Sequence, residues 1–265
     1  MTTPSVVPVP GPPPNDEVEL LLRLGDDRLV LGHRLSEWCG HAPILEEDIA
    51  LANVALDLLG QATLFLRRAG AVEGKGRDED ALAYFREAVE FRNCLLVEQP
   101  NGDFGFTIAR QFLFDVHAVV TLDALSRSTS AEIAALAAKS LKEAKYHVRH
   151  SGEWMLKLGD GTDESHRRVQ RALDELWRFT PELFVADGVA ARLAVQGIAP
   201  DLPALRAQWE TIVRDVVDRA TLTLPHESMH SPHLRGGRSG MHSEHLGHML
   251  AEMQIVARSH PGAQW

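Results

Sequence analysis

The sequence is poor in cysteine and in clustered basic residues. Its two cysteines, Cys39 and Cys94, lie far apart and form no Cys-x-x-Cys motif. This usage predicts reduced thiols in the cytoplasm and argues against a disulfide framework. The formal net charge is −10, and basic runs are no longer than pairs such as Arg67-Arg68. Because counterion release needs clustered Lys and Arg, we expect no nucleic acid partner and no anionic membrane surface.

Alternating apolar and polar runs, which are typical of β-strands, are also scarce. From Glu17 onward, apolar residues recur at spacings of three and four, which predicts an all-α chain. Helices are predicted over 17–41 (with a candidate break at Gly25), 45–69, 79–97, 104–127, 131–158, 164–186, 202–222 and 242–258. Four long helices with short connections predict an antiparallel, ferritin-like four-helix bundle with additional helices.

The domain organisation follows from where proline and glycine cluster. The first fifteen residues hold six prolines with no basic start and no apolar core, so residues 1–15 are predicted to form a disordered tail rather than a signal peptide. Residues 16–222 are predicted to form the bundle domain. Residues 223–265 are predicted to form a Pro/Gly/His-rich irregular segment and a C-terminal helix packed on that domain.

One short motif favours zinc chemistry. His226-Glu227-Ser228-Met229-His230 matches His-Glu-x-x-His, in which two histidines on one helical face bind zinc and the glutamate activates water. Pro225 and Pro232 flank the motif and leave little room for a helix. We expect no zinc site here, and a zinc hydrolase stays the least favoured alternative.

Polar residues at helical spacing inside the bundle are more informative. Asp57 and Gln61 share one face of the second long helix, and Glu143 and His147 share one face of the fifth. Glu37 on the first helix and Asp115 on the fourth supply further carboxylates. This is the layout with which a bundle holds a di-iron centre, using Glu from two helices and Glu-x-x-His from two others.

The spacing nevertheless lacks the ligands that bridge two metals. Leu58-x-x-Gln61 and Ala144-x-x-His147 stand where Glu-x-x-His is required, so two aliphatic residues replace two carboxylates. We expect no metal and no catalytic residue at these remnant positions, and we expect Arg34 or a lysine such as Lys139 or Lys145 to neutralise the buried carboxylates. The alternative is a self-sufficient di-iron oxidase. Its ligands would be Glu37, Asp57, Asp115, Glu143 and His147.

Several long strings resemble one known family, the C subunits of bacterial ring-1,2-phenylacetyl-CoA epoxidases. They include LRLGDDRLVLGHRLSEWCGHAPILEEDIALANVALDLLGQA, LLVEQPNGDFGFTIARQ, KEAKYHVRHSGEWMLKLGDGTD, LWRFTPELF, HSEHLGHMLAEMQ and the final PGAQW. The resemblance covers Leu22 to Trp265. The proline-rich tail before Asn15 is not part of the family pattern, and the segment around His226 lies in a stretch that is expected to vary, so the resemblance implies no zinc role for it.

The resemblance implies a structural, non-catalytic subunit with a ferritin-like fold. It implies a homologous catalytic A subunit that holds the di-iron site, a small B subunit, and a reductase that carries flavin and an iron–sulfur cluster. It also implies that the complex uses O2 and NADPH to epoxidise the ring of phenylacetyl-CoA. No cofactor is expected in this chain itself.

Overall fold

A computed structural model describes residues 15–226 and 234–263. Nine α-helices and no strand occur in these two ranges, and short 3-10 turns lie at Ala88–Glu90, Thr180–Phe184 and Gly237–Ser239. The helices are α1 (Asp16–Ser36), α2 (Leu45–Glu73), α3 (Glu79–Tyr84), α4 (Phe104–Leu125), α5 (Ala131–Gly159), α6 (Asp163–Trp177), α7 (Gly188–Val195), α8 (Leu202–Arg219) and α9 (Glu244–Ser259).

The four long helices form the predicted bundle. A short loop joins α1 to α2 and another joins α4 to α5, so each pair is an antiparallel hairpin, and α2 also packs against α5. The long connection over residues 74–103 crosses from one hairpin to the other. Around this core, α6 and α8 pack on α4 and α5, α7 packs on α1, and α9 packs on α3. The all-α, ferritin-like fold class is confirmed.

Three helix predictions are wrong at their ends. The helix expected over 79–97 stops at Tyr84, and the helix expected over 164–186 stops at Trp177, where Pro181 in the following 3-10 turn lacks a backbone donor. The helix expected over 17–41 stops at Ser36, and no break occurs at Gly25, because α1 continues through it. The eight-residue helix α7 was not predicted.

Acidic side chains hold the non-helical part of this crossover, around residues 92–95, in place. Asp26 accepts from the Arg92 backbone N–H at 2.8 Å, and Asp27 accepts from the Cys94 N–H at 2.8 Å. Glu182 accepts from the Leu95 N–H at 2.6 Å. These bonds replace those that a helix would supply, so a buried segment without regular structure leaves few amides unsatisfied.

Two arginine side chains form ion pairs with the same aspartates. Arg86 forms a bidentate pair with Asp26, in which the Nη1–Oδ2 distance is 3.0 Å and both side chains are almost fully buried. Arg238 binds both Asp27 oxygens at 2.8 Å. The Asp26-Asp27 pair of α1 therefore fixes the crossover and a segment near the C-terminus.

Glycines set the distance between α1 and α2. A Cβ on Gly25 would lie 2.7 Å from Leu66 Cδ2, so the missing side chain is what allows these helices to approach closely. One turn after Leu66, a Cβ on Gly70 would lie 2.0 Å from the carbonyl oxygen of Arg77, in the segment that follows α2. Gly60, in the same helix, has nothing within 4 Å of its Cβ position.

The last two of these glycines give a matched test on one helix. Gly70→Ala is expected to lower the free energy of unfolding by at least about 1–3 kcal/mol, because backbone must move to admit the methyl group. Gly60→Ala is expected to raise it by roughly 0.5–1 kcal/mol through helix propensity. Urea unfolding of the isolated chain measures both. Equal effects of the two changes would contradict the close approach at Gly70.

Helix α2 is long and apolar enough to cross a membrane by length and composition alone. Core helices of soluble proteins pass the same test, and α2 packs against α1 and α5 in the bundle. Less than half of its most apolar stretch is buried inside this chain. An apolar surface of α2 is therefore left open.

Candidate functional site

The predicted polar positions on α2 and α5 meet in two pairs. Gln61 Nε2 donates to Glu143 Oε2 at 2.8 Å, and His147 Nε2 donates to Asp57 Oδ2 at 3.0 Å. Both helices contribute residues four apart, so the pairs occupy successive turns of the α2–α5 contact. Four of the eight predicted positions therefore lie together as hydrogen-bonded partners.

Leu58 and Ala144 face the core beside these pairs. Their exposed fractions are 3% and 2%, and both belong to the hydrophobic core. An aliphatic side chain has no lone pair to give a metal. The two positions at which a di-iron bundle needs bridging carboxylates therefore contribute only packing.

Glu37 does not join the other predicted positions. Helix α1 ends at Ser36, and Glu37 is its exposed C-cap residue. Its carboxylate accepts from Arg34 Nη1 at 2.7 Å and from Asn101 Nδ2 at 2.9 Å. The prediction that Glu37 supplies the α1 carboxylate of the site is wrong, because the helix does not extend to residue 41.

The α1 residue at the site is Arg28, which the sequence reasoning missed. Its Nε donates to Gln61 Oε1 at 2.8 Å, its Nη1 donates to the Leu24 carbonyl at 2.9 Å, and the guanidinium lies 5.0 Å from the Phe65 ring centroid. Burial lowers the pKa of Arg28 to about 10, so it stays charged at neutral pH. Its position amid the apolar residues of α1, one and two turns from Leu24 and Leu21, could have pointed to it.

Asp115 on α4 is fully buried and has no cation beside it. It accepts from Gln111 Nε2 at 2.7 Å and lies 2.8 Å from Ser151 Oγ. Burial raises the pKa of Asp115 to about 8, so the carboxyl is neutral at pH 7. A protonated Oδ2 donates to Ser151 Oγ, which in turn donates to the His147 carbonyl at 3.0 Å.

The prediction that Arg34 or a lysine neutralises the buried carboxylates is therefore wrong. Arg34 donates to the Glu98 and His245 backbone carbonyls and to Glu37, while Lys139 and Lys145 are exposed. Asp115 avoids the cost of an unpaired buried charge by keeping its proton. A carboxyl without a partner cation is satisfied here by neutral hydrogen bonds.

Two histidines of α5 face carboxylates of α2. Burial lowers the pKa of His147, against the opposing effect of its hydrogen bond with Asp57, so the imidazole is neutral at pH 7. One turn later, His150 Nε2 lies 2.9 Å from Glu47 Oε2. Glu47 was also missed, because its partner lies 103 positions away in the sequence.

These residues do not fit a di-iron centre. Each imidazole and carboxylate named above is hydrogen-bonded to another protein group, and the Arg28 cation stands at the α1 position where a metal site needs a carboxylate. Within residues 15–226 and 234–263, no group of three or more His, Cys, Asp or Glu side chains is arranged to hold a metal ion. Of the zinc motif, Glu227 to His230 lie outside the described residues.

Sequence comparison identifies the family. Residues 11–265 match the PaaA_PaaC family, the phenylacetic acid catabolic proteins. This chain belongs to that family. Over 244 residues it is 52% identical to the C subunit of 1,2-phenylacetyl-CoA epoxidase from Escherichia coli (strain K12), and the match covers 92% of this chain and 97% of that protein. Both findings confirm the resemblance seen in the sequence, and the family match begins eleven residues earlier than the resemblance did, inside the proline-rich tail.

Proposed function

We propose that this chain is the structural, non-catalytic C subunit of a cytoplasmic phenylacetyl-CoA 1,2-epoxidase. The observation that carries the proposal is the replacement of metal ligands inside a bundle of the ferritin-like kind. Leu58 and Ala144 are aliphatic and buried, and Arg28 is hydrogen-bonded to Gln61. The relative that is 52% identical is itself named as the C subunit of that epoxidase.

In this proposal the chain contributes shape and stability to the complex. Hydrogen bonds within the chain join Gln61 to Glu143 and His147 to Asp57 inside the bundle, and we expect the chain to fold without a metal. The di-iron site of a homologous A subunit would activate O2 with reducing equivalents from NADPH, delivered by a flavin and iron–sulfur reductase. A small B subunit would complete the assembly. This chain would support the fold of the A subunit beside it.

The rival functions have less support. A self-sufficient di-iron oxidase would use Glu37, which is a helix cap on another part of the bundle, and Asp115, which is neutral and enclosed by Gln111 and Ser151. A zinc hydrolase would depend on Glu227 and His230, which lie outside the described residues. Neither rival is favoured by a contact in the structure.

Co-expression tests the proposal. The chain is produced alone and together with the homologous A subunit from the same organism, and iron content and epoxidation of phenylacetyl-CoA are measured with the reductase present. We expect iron and activity only in the pair, with the iron following the A subunit when the two are separated. Stoichiometric iron in the isolated chain, or failure to bind the A subunit at micromolar concentration, would contradict the proposal.

A further inference from the structure

The outward face of α2 carries an apolar strip. Leu45, Ile49 and Leu56 are 72%, 55% and 66% exposed, and Gly60 continues the same face. Spacings of four, seven and four place these residues on one side of the helix, along about 22 Å of its length. Single exposed leucines are ordinary, but an apolar row of this kind marks an interaction surface. We call these four residues the α2 strip.

The outward face of α5 carries a row of cations. Lys139, Lys142, Lys145 and Arg149 are all exposed, and in the described part of the chain none of them forms an ion pair. The Arg149 guanidinium lies 5.3 Å from the ring centroid of Tyr146, which is itself 49% exposed. We call these four cations the α5 row.

The α5 row is unusual for this protein. The chain has a net charge of −10, and several exposed arginines elsewhere, namely Arg127, Arg167 and Arg219, are paired with carboxylates three or four residues earlier in the sequence. Four cations that form no ion pair, with Glu153 as the exposed carboxylate on the same side of α5, create a local positive potential on an acidic molecule. Such a face attracts a partner surface that carries carboxylates.

The strip and the row belong to one side of the bundle. Helices α2 and α5 are joined by the Gln61–Glu143 and Asp57–His147 hydrogen bonds, and Asp57 is 41% exposed between them. The side of the bundle formed by the two helices is therefore apolar along α2, polar in the middle and cationic along α5. We call this surface the α2–α5 face.

We propose that the α2–α5 face docks the homologous catalytic subunit through a helical surface on that subunit that is apolar at its centre and acidic along one edge. This inference rests on the proposed function and adds to it the surface and the chemistry of contact. A second copy of this chain fits less well. An isologous pair would bring two identical faces together, and each face carries four unpaired cations against the exposed carboxylates of Asp57 and Glu153, so positive charge would stay in excess.

Affinity measurements with point variants test the proposal. The dissociation constant between this chain and the catalytic subunit is measured for wild type, Leu56→Asp and the double variant Lys142→Glu/Lys145→Glu. We expect Leu56→Asp to weaken binding at least about tenfold, since it places a charge in the buried centre of the contact. We expect the double variant to slow association, with a difference from wild type that shrinks as salt is added.

Matched controls lie on other helices. Val195 on α7 is 90% exposed, so Val195→Asp makes the same kind of change away from the α2–α5 face, and Arg214→Glu on α8 reverses an exposed charge. Both should bind as wild type does. Because Leu56 is exposed, thermal unfolding of Leu56→Asp should match wild type, which separates loss of contact from loss of fold.

Three outcomes would overturn the proposal, and they are distinguishable. Wild-type affinity in both face variants would reject the α2–α5 face while leaving the proposed function intact. A wild-type chain that does not bind the catalytic subunit would reject the proposed function and this surface with it. A homodimer that Leu56→Asp dissociates, with affinity for the catalytic subunit unchanged, would assign the face to a second copy.

Discussion

Asp26→Ala is expected to lower the free energy of unfolding by about 3–5 kcal/mol, the usual cost of leaving a buried partner charge uncompensated. The substitution removes the two carboxylate oxygens that accept from the Arg86 guanidinium, which then keeps only the Leu82 and Glu90 carbonyls. It also removes the acceptor of the Arg92 backbone N–H. Arg86 is 2% exposed and has no route to water. Urea unfolding followed by circular dichroism measures the loss.

A surface pair serves as the control for this prediction. Asp123→Ala breaks the Asp123–Arg127 ion pair, whose side chains are 49% and 66% exposed, and should cost no more than about 1 kcal/mol. The double variant Asp26→Ala/Arg86→Ala should lose less than the sum of its single changes, because the stranded charge is then gone. A loss below about 1 kcal/mol for Asp26→Ala alone would show that the pair does not hold the crossover.

Asp115→Asn is expected to make the protein more stable than wild type at neutral pH and above. A carboxyl whose pKa is about 8 when folded and about 3.9 when unfolded binds more protons in the native state between these values. Its contribution to stability is therefore complete at acid pH and is lost as the pH rises towards 8, by about 1.4 kcal/mol per pH unit. The asparagine amide makes the same hydrogen bonds with Gln111 and Ser151 without this dependence.

The measurement is the difference in unfolding free energy between Asp115→Asn and wild type at several pH values. We expect this difference to grow between about pH 5 and 7 and to level off above about pH 8. Infrared spectra at neutral pH should show the carbonyl band of a protonated carboxylic acid that is absent from the variant. A difference that does not change with pH would mean that Asp115 is ionised in the native state.

The bundle was predictable because it rests on local information. Apolar spacing and the breakers near Pro43, Ser128 and Gly161 give the starts of α2, α5 and α6 to within one residue. The crossover was not predictable in the same way. Residues 85–97 carry a helical pattern, yet their amides are satisfied by Asp26, Asp27 and Glu182 from distant parts of the chain.

The candidate site was likewise predictable only where local spacing determines it. The pairing of Asp57 and Gln61 with His147 and Glu143 follows from helical spacing once two antiparallel helices are assumed. The contribution of α1 could not be predicted in this way. Glu37 is a carboxylate but contacts Arg34 near the end of α1, whereas the residue that contacts Gln61 is Arg28, a cation. The neutral state of Asp115 is a property of its surroundings, which spacing alone does not reveal.

The ion pair between Arg238 and Asp27 can form only late in synthesis, because Arg238 lies near the C-terminus. The two residues are 211 positions apart, and Glu98 likewise waits for the Ser243 N–H and the His242 imidazole. A ribosome that has released only about the first two hundred residues holds a chain whose crossover acceptors still lack these donors. The crossover is therefore expected to close only after the segment that contains Arg238, His242 and Ser243 has left the ribosome.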